Sequence, residues 1–139
     1  MKEMSQGTRI WLTSDHGMIN VGEKIIIGLD NPLLENIAVI AGEPRARHLY
    51  LKPDHDSSGA RSNVASVWQE FLGDRVDVFT REQAITNNLF GDVVSADSLD
   101  RMGEVIAVAK GGAVLIDPAR IEKESALSLI HISEPTRPY

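Results

Sequence analysis

The chain has 139 residues, of which 42% are hydrophobic and 24% are charged, enough for one globular domain with a core of its own. Its net charge of −6 argues against a nucleic-acid-binding surface, and the absence of cysteine excludes disulfides and thiolate metal sites. No apolar run approaches the roughly 20 residues of a membrane helix, and the polar N-terminus lacks a signal-peptide core, which favours the cytoplasm.

The first predicted element is a short apolar run at residues 10–12, Ile-Trp-Leu, which favours a buried strand. A carboxylate and an imidazole follow it side by side at Asp15 and His16, and Gly17 then lets the backbone turn. In open α/β sheets, ligands bind at the carboxyl ends of strands. Because Asp oxygens and His nitrogens are ordinary zinc ligands, this stretch predicts a strand that presents two metal ligands. The alternative is an N-cap and a surface histidine with no metal role.

Residues 13–18 read Thr-Ser-Asp-His-Gly-Met, which resembles the signature of the alkaline phosphatase superfamily, in particular its nucleotide pyrophosphatase/phosphodiesterase branch. The resemblance implies that Asp15 and His16 bind one of two active-site zinc ions, and it assigns no catalytic residue within this chain. In that family the Thr or Ser nucleophile and other zinc ligands lie upstream of the signature. We therefore expect the chain to be a C-terminal-half fragment that is inactive alone.

The elements predicted after the signature are short. Residues 24–27 favour a strand, and residues 33–35 favour a single helical turn. Two further strands are predicted at residues 37–41 and 45–51, the second from its alternation of leucines with polar residues.

Residues 41–48, Ala-Gly-Glu-Pro-Arg-Ala-Arg-His, also resemble bacterial members of the phosphodiesterase family. Two interpretations exist for their polar side chains. In the first, His48 is a metal ligand and Arg45 or Arg47 is a phosphate clamp. We favour the second, in which these side chains form the exposed face of a two-stranded element whose other face is buried.

The clearest predicted helix covers residues 62–72, where apolar residues recur with helical spacing. Ser62 is its predicted N-cap, and Gly73 its predicted C-terminal cap. The preceding loop, residues 53–59, contains the sequence Asp-His-Asp, which could suggest a second metal site. Because neighbouring residues in a loop rarely converge on one ion, we interpret this loop as acidic and solvated.

A strand at residues 76–79 comes next, followed by a helix from Thr80 to about Asn87. Thr80 and Gln83 have the spacing of a capping box at the start of that helix. Together with the preceding strands and helix, these elements predict a small α/β subdomain at about residues 37–88.

Two apolar runs at residues 104–109 and 113–116 flank Gly111 and Gly112, a pattern that predicts a β-hairpin. We interpret the two glycines as turn residues. A phosphate cradle would require a helix at a spacing that this sequence does not have.

Residues 127–137 read Leu-Ser-Leu-Ile-His-Ile-Ser-Glu-Pro-Thr-Arg, which is the translation of a transposase-type sequencing adapter, residue for residue. We therefore expect residues 127–139 to be an artefactual tail with no part in fold or function. The family resemblance implies another zinc-binding His, in a His-Gly pair, near this point. His131 lies there, but it is followed by Ile132 and belongs to the adapter, so we do not interpret it as a ligand.

The sequence thus predicts an α/β fold. Residues 1–126 are expected to form part of an alkaline-phosphatase-like domain, with an incomplete central sheet and the small subdomain. The resemblance covers about residues 8–126 and implies a metal-dependent phosphoric ester hydrolase. It would use two zinc ions on a phosphodiester or nucleotide-type small molecule. Two alternatives stay open: a sulfatase-like or phosphomutase-like enzyme of the same superfamily, and a non-catalytic α/β binding module.

Overall fold

A computed structural model describes residues 7–9, 11–13, 19–29 and 32–121. The chain is of the α/β class, as predicted, with two sheets and three α-helices among these residues. The strands are β1 (Glu23–Ile26), β2 (Ile37–Glu43), β3 (Ala46–Leu51), β4 (Val76–Thr80), β5 (Val105–Ala109) and β6 (Ala113–Ile116). The helices are α1 (Ser58–Leu72), α2 (Arg81–Thr86) and α3 (Ala96–Asp100), and short 3₁₀ turns lie at Pro32–Leu34, Pro53–His55, Gly73–Arg75 and Pro118–Arg120.

The larger sheet has four antiparallel strands in the order β2-β3-β5-β4. Helix α1 packs on one face of it through an apolar stripe that includes Val64, Trp68 and Leu72, all buried. The Trp68 indole N–H donates to the Leu33 carbonyl at 3.1 Å, which ties α1 to the turn before β2. A smaller apolar cluster of Ala84, Met102 and Ile106 forms separately. The main core therefore lies between α1 and this sheet.

The second sheet pairs β1 with β6 in parallel, and Glu23 lies opposite Ala113. The predicted hairpin of β5 and β6 is therefore wrong. Both edges of β5 are already occupied, by β3 and β4, so the chain must leave the larger sheet after the Gly111–Gly112 turn. All four residues of β6 are buried, which agrees with the continuous apolar runs typical of parallel strands.

Trp11 and Leu12, which belong to the strand predicted at residues 10–12, do not form a strand and are 88% and 98% exposed. Apolar composition favours a strand only where a neighbouring strand or layer covers it. In the described residues, nothing covers these two side chains.

The helix predictions hold, but α1 begins four residues earlier than predicted. Its N-cap is Ser57, whose hydroxyl accepts from the Ala60 N–H, and not Ser62. The predicted capping box of α2 is confirmed, because Thr80 accepts from the Gln83 N–H and Gln83 accepts from the Thr80 N–H. Local hydrogen bonding by short polar side chains thus sets these helix starts.

The four-stranded sheet includes β5, which lies beyond the bounds predicted for the subdomain at residues 37–88. The division of the chain into a main part and a subdomain stays a prediction. Within the described ranges, no helix is long and apolar enough to cross a membrane.

Candidate metal centre

The two predicted zinc ligands, Asp15 and His16, lie outside the residues that the structure describes, as does His131. Their assignment as metal ligands therefore stays a prediction. The structure describes the chain on either side of the pair, at residues 11–13 and from Ile19 onward. The contacts of the segment that begins at Ile19 determine the path of the chain after residue 19.

The chain after His16 is anchored to the turn between β5 and β6. The backbone N–H groups of Gly22 and Glu23 both donate to the Gly112 carbonyl, at 2.8 and 3.2 Å. The contact is so close that a Cβ on Gly112 would lie 2.9 Å from the Gly22 nitrogen and 3.2 Å from the Asn20 oxygen. Gly112 is thus a glycine of close backbone approach, in keeping with its interpretation as a turn residue.

Arg45 and Arg47 do not form an exposed polar face, so that prediction is wrong. Their exposed fractions are only 3% and 0%. Arg45 donates to the Gly111 and Ala113 carbonyls at 2.8 and 2.7 Å. Arg47 donates twice to the Leu115 carbonyl, at 3.0 and 2.7 Å, and once to that of Gly42 at 2.7 Å.

These hydrogen bonds join the larger sheet to β6, and the Leu115 N–H adds another by donating to the Pro44 carbonyl. The planar guanidinium group donates hydrogen bonds to backbone carbonyls with the same N–H groups that it would use to bind a phosphate. Because the donors are directed at buried main-chain oxygens, the two arginines act as links between the sheets. The phosphate-clamp interpretation finds no support in this arrangement.

His48 is half-buried on β3 and accepts a hydrogen bond at Nδ1 from the Gly103 N–H at 3.2 Å. Its ring lies edge-on to Phe90, with 6.0 Å between the ring centroids. Burial lowers the pKa of His48 below its ordinary value of 6.5. Among the described residues, no three or more His, Asp or Glu side chains are grouped so that they could hold a metal ion. The contacts of His48 with Gly103 and Phe90 are those of a structural side chain.

The protonation of His48 gives a testable pH dependence of stability. The folded-state pKa is below the unfolded one, so the unfolded chain binds the proton more tightly. The stability contributed by neutral His48 is complete above about pH 6.5 and is lost as the pH falls below that value towards the folded-state pKa. We expect urea unfolding to show this loss between pH values of about 7.5 and 5.5, and the variant His48→Gln to show less of it. A His48→Gln profile parallel to that of the wild type would contradict the assignment.

The Asp-His-Asp loop does not assemble a metal site from described residues. Asp56 instead accepts from the Arg61 Nε at 2.9 Å, and a second nitrogen of Arg61 pairs with Glu82 at 2.6 Å. This pairing raises the pKa of Arg61, chiefly through the hydrogen bond to Asp56. Arg61, which the loop carboxylate holds in place, thus links the first turn of α1 to the start of α2.

Two grooves on the described surface do not bring metal ligands together either. One groove of about 520 Å³ lies between β4 and α2 and is lined by Val78, Phe79, Glu82, Gln83, Thr86 and Asn87. Its one carboxylate, Glu82, is already paired with Arg61. A second groove of about 220 Å³ on the neighbouring face of α1 has a lining of neutral side chains.

Sequence reasoning missed the function of Arg45 as an anchor of the turn that holds the chain after the predicted ligands. Its two acceptors, Gly111 and Ala113, lie 66 and 68 residues after Arg45 in the sequence, a separation that no local pattern reveals. A partial signal existed for Arg47: strand periodicity of two places it on the same face as Leu49 and Leu51, which are buried.

The sequence model of the type I phosphodiesterase / nucleotide pyrophosphatase family matches residues 1–131 of the chain. The match includes the Asp-His-Gly-Met stretch and all the secondary structure described above. No curated protein matches the chain at a significant level.

Proposed function

The chain belongs to the type I phosphodiesterase / nucleotide pyrophosphatase family, and on that basis we propose that it supplies two zinc ligands, Asp15 and His16, to a phosphoric ester hydrolase. The single observation that carries the proposal is the family match over residues 1–131, because it includes the Asp-His pair. The proposed substrates are phosphodiesters or nucleotide-type small molecules.

The chemistry of the donor pair fits a zinc ion. A carboxylate oxygen and an imidazole nitrogen are both ordinary zinc donors, and a chain without cysteine must use such donors. Two donors are fewer than the three protein ligands that catalytic zinc sites employ. Since the family resemblance implies that the nucleophile and other zinc ligands lie upstream of the signature, we propose that the complete centre draws them from elsewhere in a longer enzyme.

In such a centre, bound zinc would polarise the phosphoryl group and lower the pKa of the attacking group. Asp15 would contribute a negative charge that favours cation binding, and neutral His16 a nitrogen lone pair. Because His16 binds only when deprotonated, metal affinity should fall as the pH decreases. Because the family resemblance implies a nucleophile upstream of the Asp-His signature, the 139-residue chain is proposed to be inactive alone.

The proposal is tested by titrating the ¹⁵N-labelled chain with zinc at about pH 7, where His is largely neutral, and following the imidazole nitrogens by NMR. We expect zinc to shift the His16 signals. The variants Asp15→Asn and His16→Gln should each raise the zinc Kd about tenfold, equivalent to about 1.4 kcal/mol.

The loop provides a matched control, because Asp54 and His55 are another adjacent Asp-His pair. The double variant Asp54→Asn, His55→Gln should bind zinc as tightly as the wild type. If zinc does not shift the His16 signals, or shifts them equally in Asp15→Asn, the metal assignment is wrong and the non-catalytic binding module is favoured.

A further inference from the structure

We infer that the carboxamide side chains of Gln69 and Gln83 cover the free edge of the larger sheet, so that β4 does not pair with a strand of a second copy of the chain. The inference concerns association of the protein with itself and does not depend on zinc binding. Its basis lies wholly in described residues: the position of β4 at the edge, the direction of its backbone groups and the side chains that bind them.

Among the described strands, β5 alone pairs with β4, so β4 lies at the edge of the larger sheet. Its sequence, Val-Asp-Val-Phe-Thr, is rich in β-branched and aromatic residues, which favour strand pairing. An edge strand presents unpaired N–H and C=O groups, to which a strand of another chain can bind. The composition of β4 therefore makes this edge prone to association unless its backbone groups are covered.

The pairing of β4 with β5 shows which backbone groups of β4 point away from the sheet. At one end of the pair, the Lys110 N–H donates to the Arg75 carbonyl at 2.8 Å. At the other end, the Arg81 N–H donates to the Glu104 carbonyl at 2.9 Å. Since the residues that bond to the partner alternate along an antiparallel pair, the odd-numbered residues of β4 bond to β5. The backbone groups of its even-numbered residues therefore point outward.

Gln69 of α1 binds two of these outward groups with one carboxamide. Its Oε1 accepts from the Val78 N–H at 3.0 Å, and its Nε2 donates to the Val76 carbonyl at 3.1 Å. The same nitrogen also donates to the Gly73 carbonyl at 2.9 Å. Because a carboxamide has a C=O acceptor and N–H donors, as a peptide group does, Gln69 supplies the hydrogen bonds that a neighbouring strand would supply.

Gln83 covers the next outward position along the edge. Its Oε1 accepts from the Thr80 N–H at 2.9 Å, the contact that also completes the capping box of α2. The opposite edge of the sheet carries a different feature, because the register of β2 with β3 shifts between Ile37 and Val39. Bulges and covered edges are both means by which natural sheets avoid edge-to-edge pairing.

The partner that this arrangement excludes is β4 of a second copy. Two copies of β4 that pair in the antiparallel sense form a symmetric contact, in which each strand presents the same outward groups to the other. Removal of the Gln69 carboxamide would leave the Val78 N–H and the Val76 carbonyl available for this contact. In the purified protein, a second copy is the strand at hand.

The test compares Gln69→Ala with the wild type in the full chain, since alanine removes the carboxamide and has the highest helix propensity. At low protein concentration, we expect the Val78 amide of the variant to exchange hydrogen about tenfold faster than in the wild type. The dimer Kd, measured by analytical ultracentrifugation, should fall about tenfold. As the concentration of the variant rises, its Val78 amide should become protected again. The matched control is Asn63→Ala, an exposed carboxamide residue of the same helix, which should behave as the wild type does.

A second variant, Gln69→Met, keeps the length of the side chain without the carboxamide and serves if Gln69→Ala does not fold. An unchanged exchange rate at Val78, or an unchanged dimer Kd, overturns the inference. Tighter association that leaves the Val78 amide unprotected overturns it as well, because another surface would then form the contact. None of these outcomes bears on the proposed function, which is tested by zinc binding.

Discussion

Replacing Trp68 by alanine is expected to lower the free energy of unfolding by about 3–5 kcal/mol, the largest effect of any single substitution proposed for this chain. Trp68 is only 1% exposed and lies in the main core between α1 and the four-stranded sheet. The substitution would leave a cavity the size of an indole and remove the hydrogen bond to the Leu33 carbonyl. The measurement is equilibrium urea unfolding followed by far-UV circular dichroism.

Helix α1 provides its own control for this prediction. Phe71 is three residues further along the same helix but is exposed, so Phe71→Ala should cost less than about 1 kcal/mol. Trp68→Phe retains an aromatic ring without the N–H donor and should fall between the two. Equal losses for Trp68→Ala and Phe71→Ala would show that α1 does not pack on the sheet through the face described.

Replacing Arg47 by methionine is expected to lower the free energy of unfolding by about 2–4 kcal/mol. Methionine fills much of the volume of the side chain but cannot donate hydrogen bonds. The Leu115 carbonyl would lose two charge-assisted donors, and the Gly42 carbonyl would lose one. Part of this loss is offset, because the buried cation no longer has to be desolvated.

Arg61 is the matched control, because it is also an arginine with charged partners but its hydrogen bonds lie at the surface. Arg61→Met should cost less than about 1 kcal/mol, since solvent screens its pairing with Asp56 and Glu82. Should Arg47→Met prove as mild as Arg61→Met in urea unfolding, the link between the larger sheet and β6 would not be a major source of stability.

The two arginines of the Arg-Ala-Arg stretch connect the larger sheet with the segment that follows the predicted zinc ligands. Arg47 holds the middle of β6, and Arg45 holds the turn before it. Strand β6 in turn pairs with β1, whose start is fixed against Gly112. The larger sheet therefore supports the segment that follows the predicted zinc ligands, although it contributes no metal-binding cluster of its own among the described residues.

Local elements were predicted well from the sequence. The α/β class, the strands near residues 37–41, 45–51 and 76–79, and the capping box of Thr80 and Gln83 all agree with the structure. Each depends on interactions between residues a few positions apart, which periodicity and capping rules describe directly. The start of α1 was misplaced because several serines precede the helix, and a local rule does not choose among them.

The sequence by itself determined most of the strands and helices between residues 24 and 116, and it contains the Asp15–His16 pair that carries the family signature. Only the tertiary structure decided that β6 pairs in parallel with β1 and not with β5, and that Arg45 and Arg47 are buried. The physical reason is the large sequence separation between the groups that interact. A strand's partner and an arginine's acceptors are chosen by which backbone groups remain unsatisfied once the rest of the chain has packed. Here Glu23 of β1 pairs with Ala113 of β6, and the Gly111 and Leu115 carbonyls lie 66 and 68 residues from the arginines that donate to them.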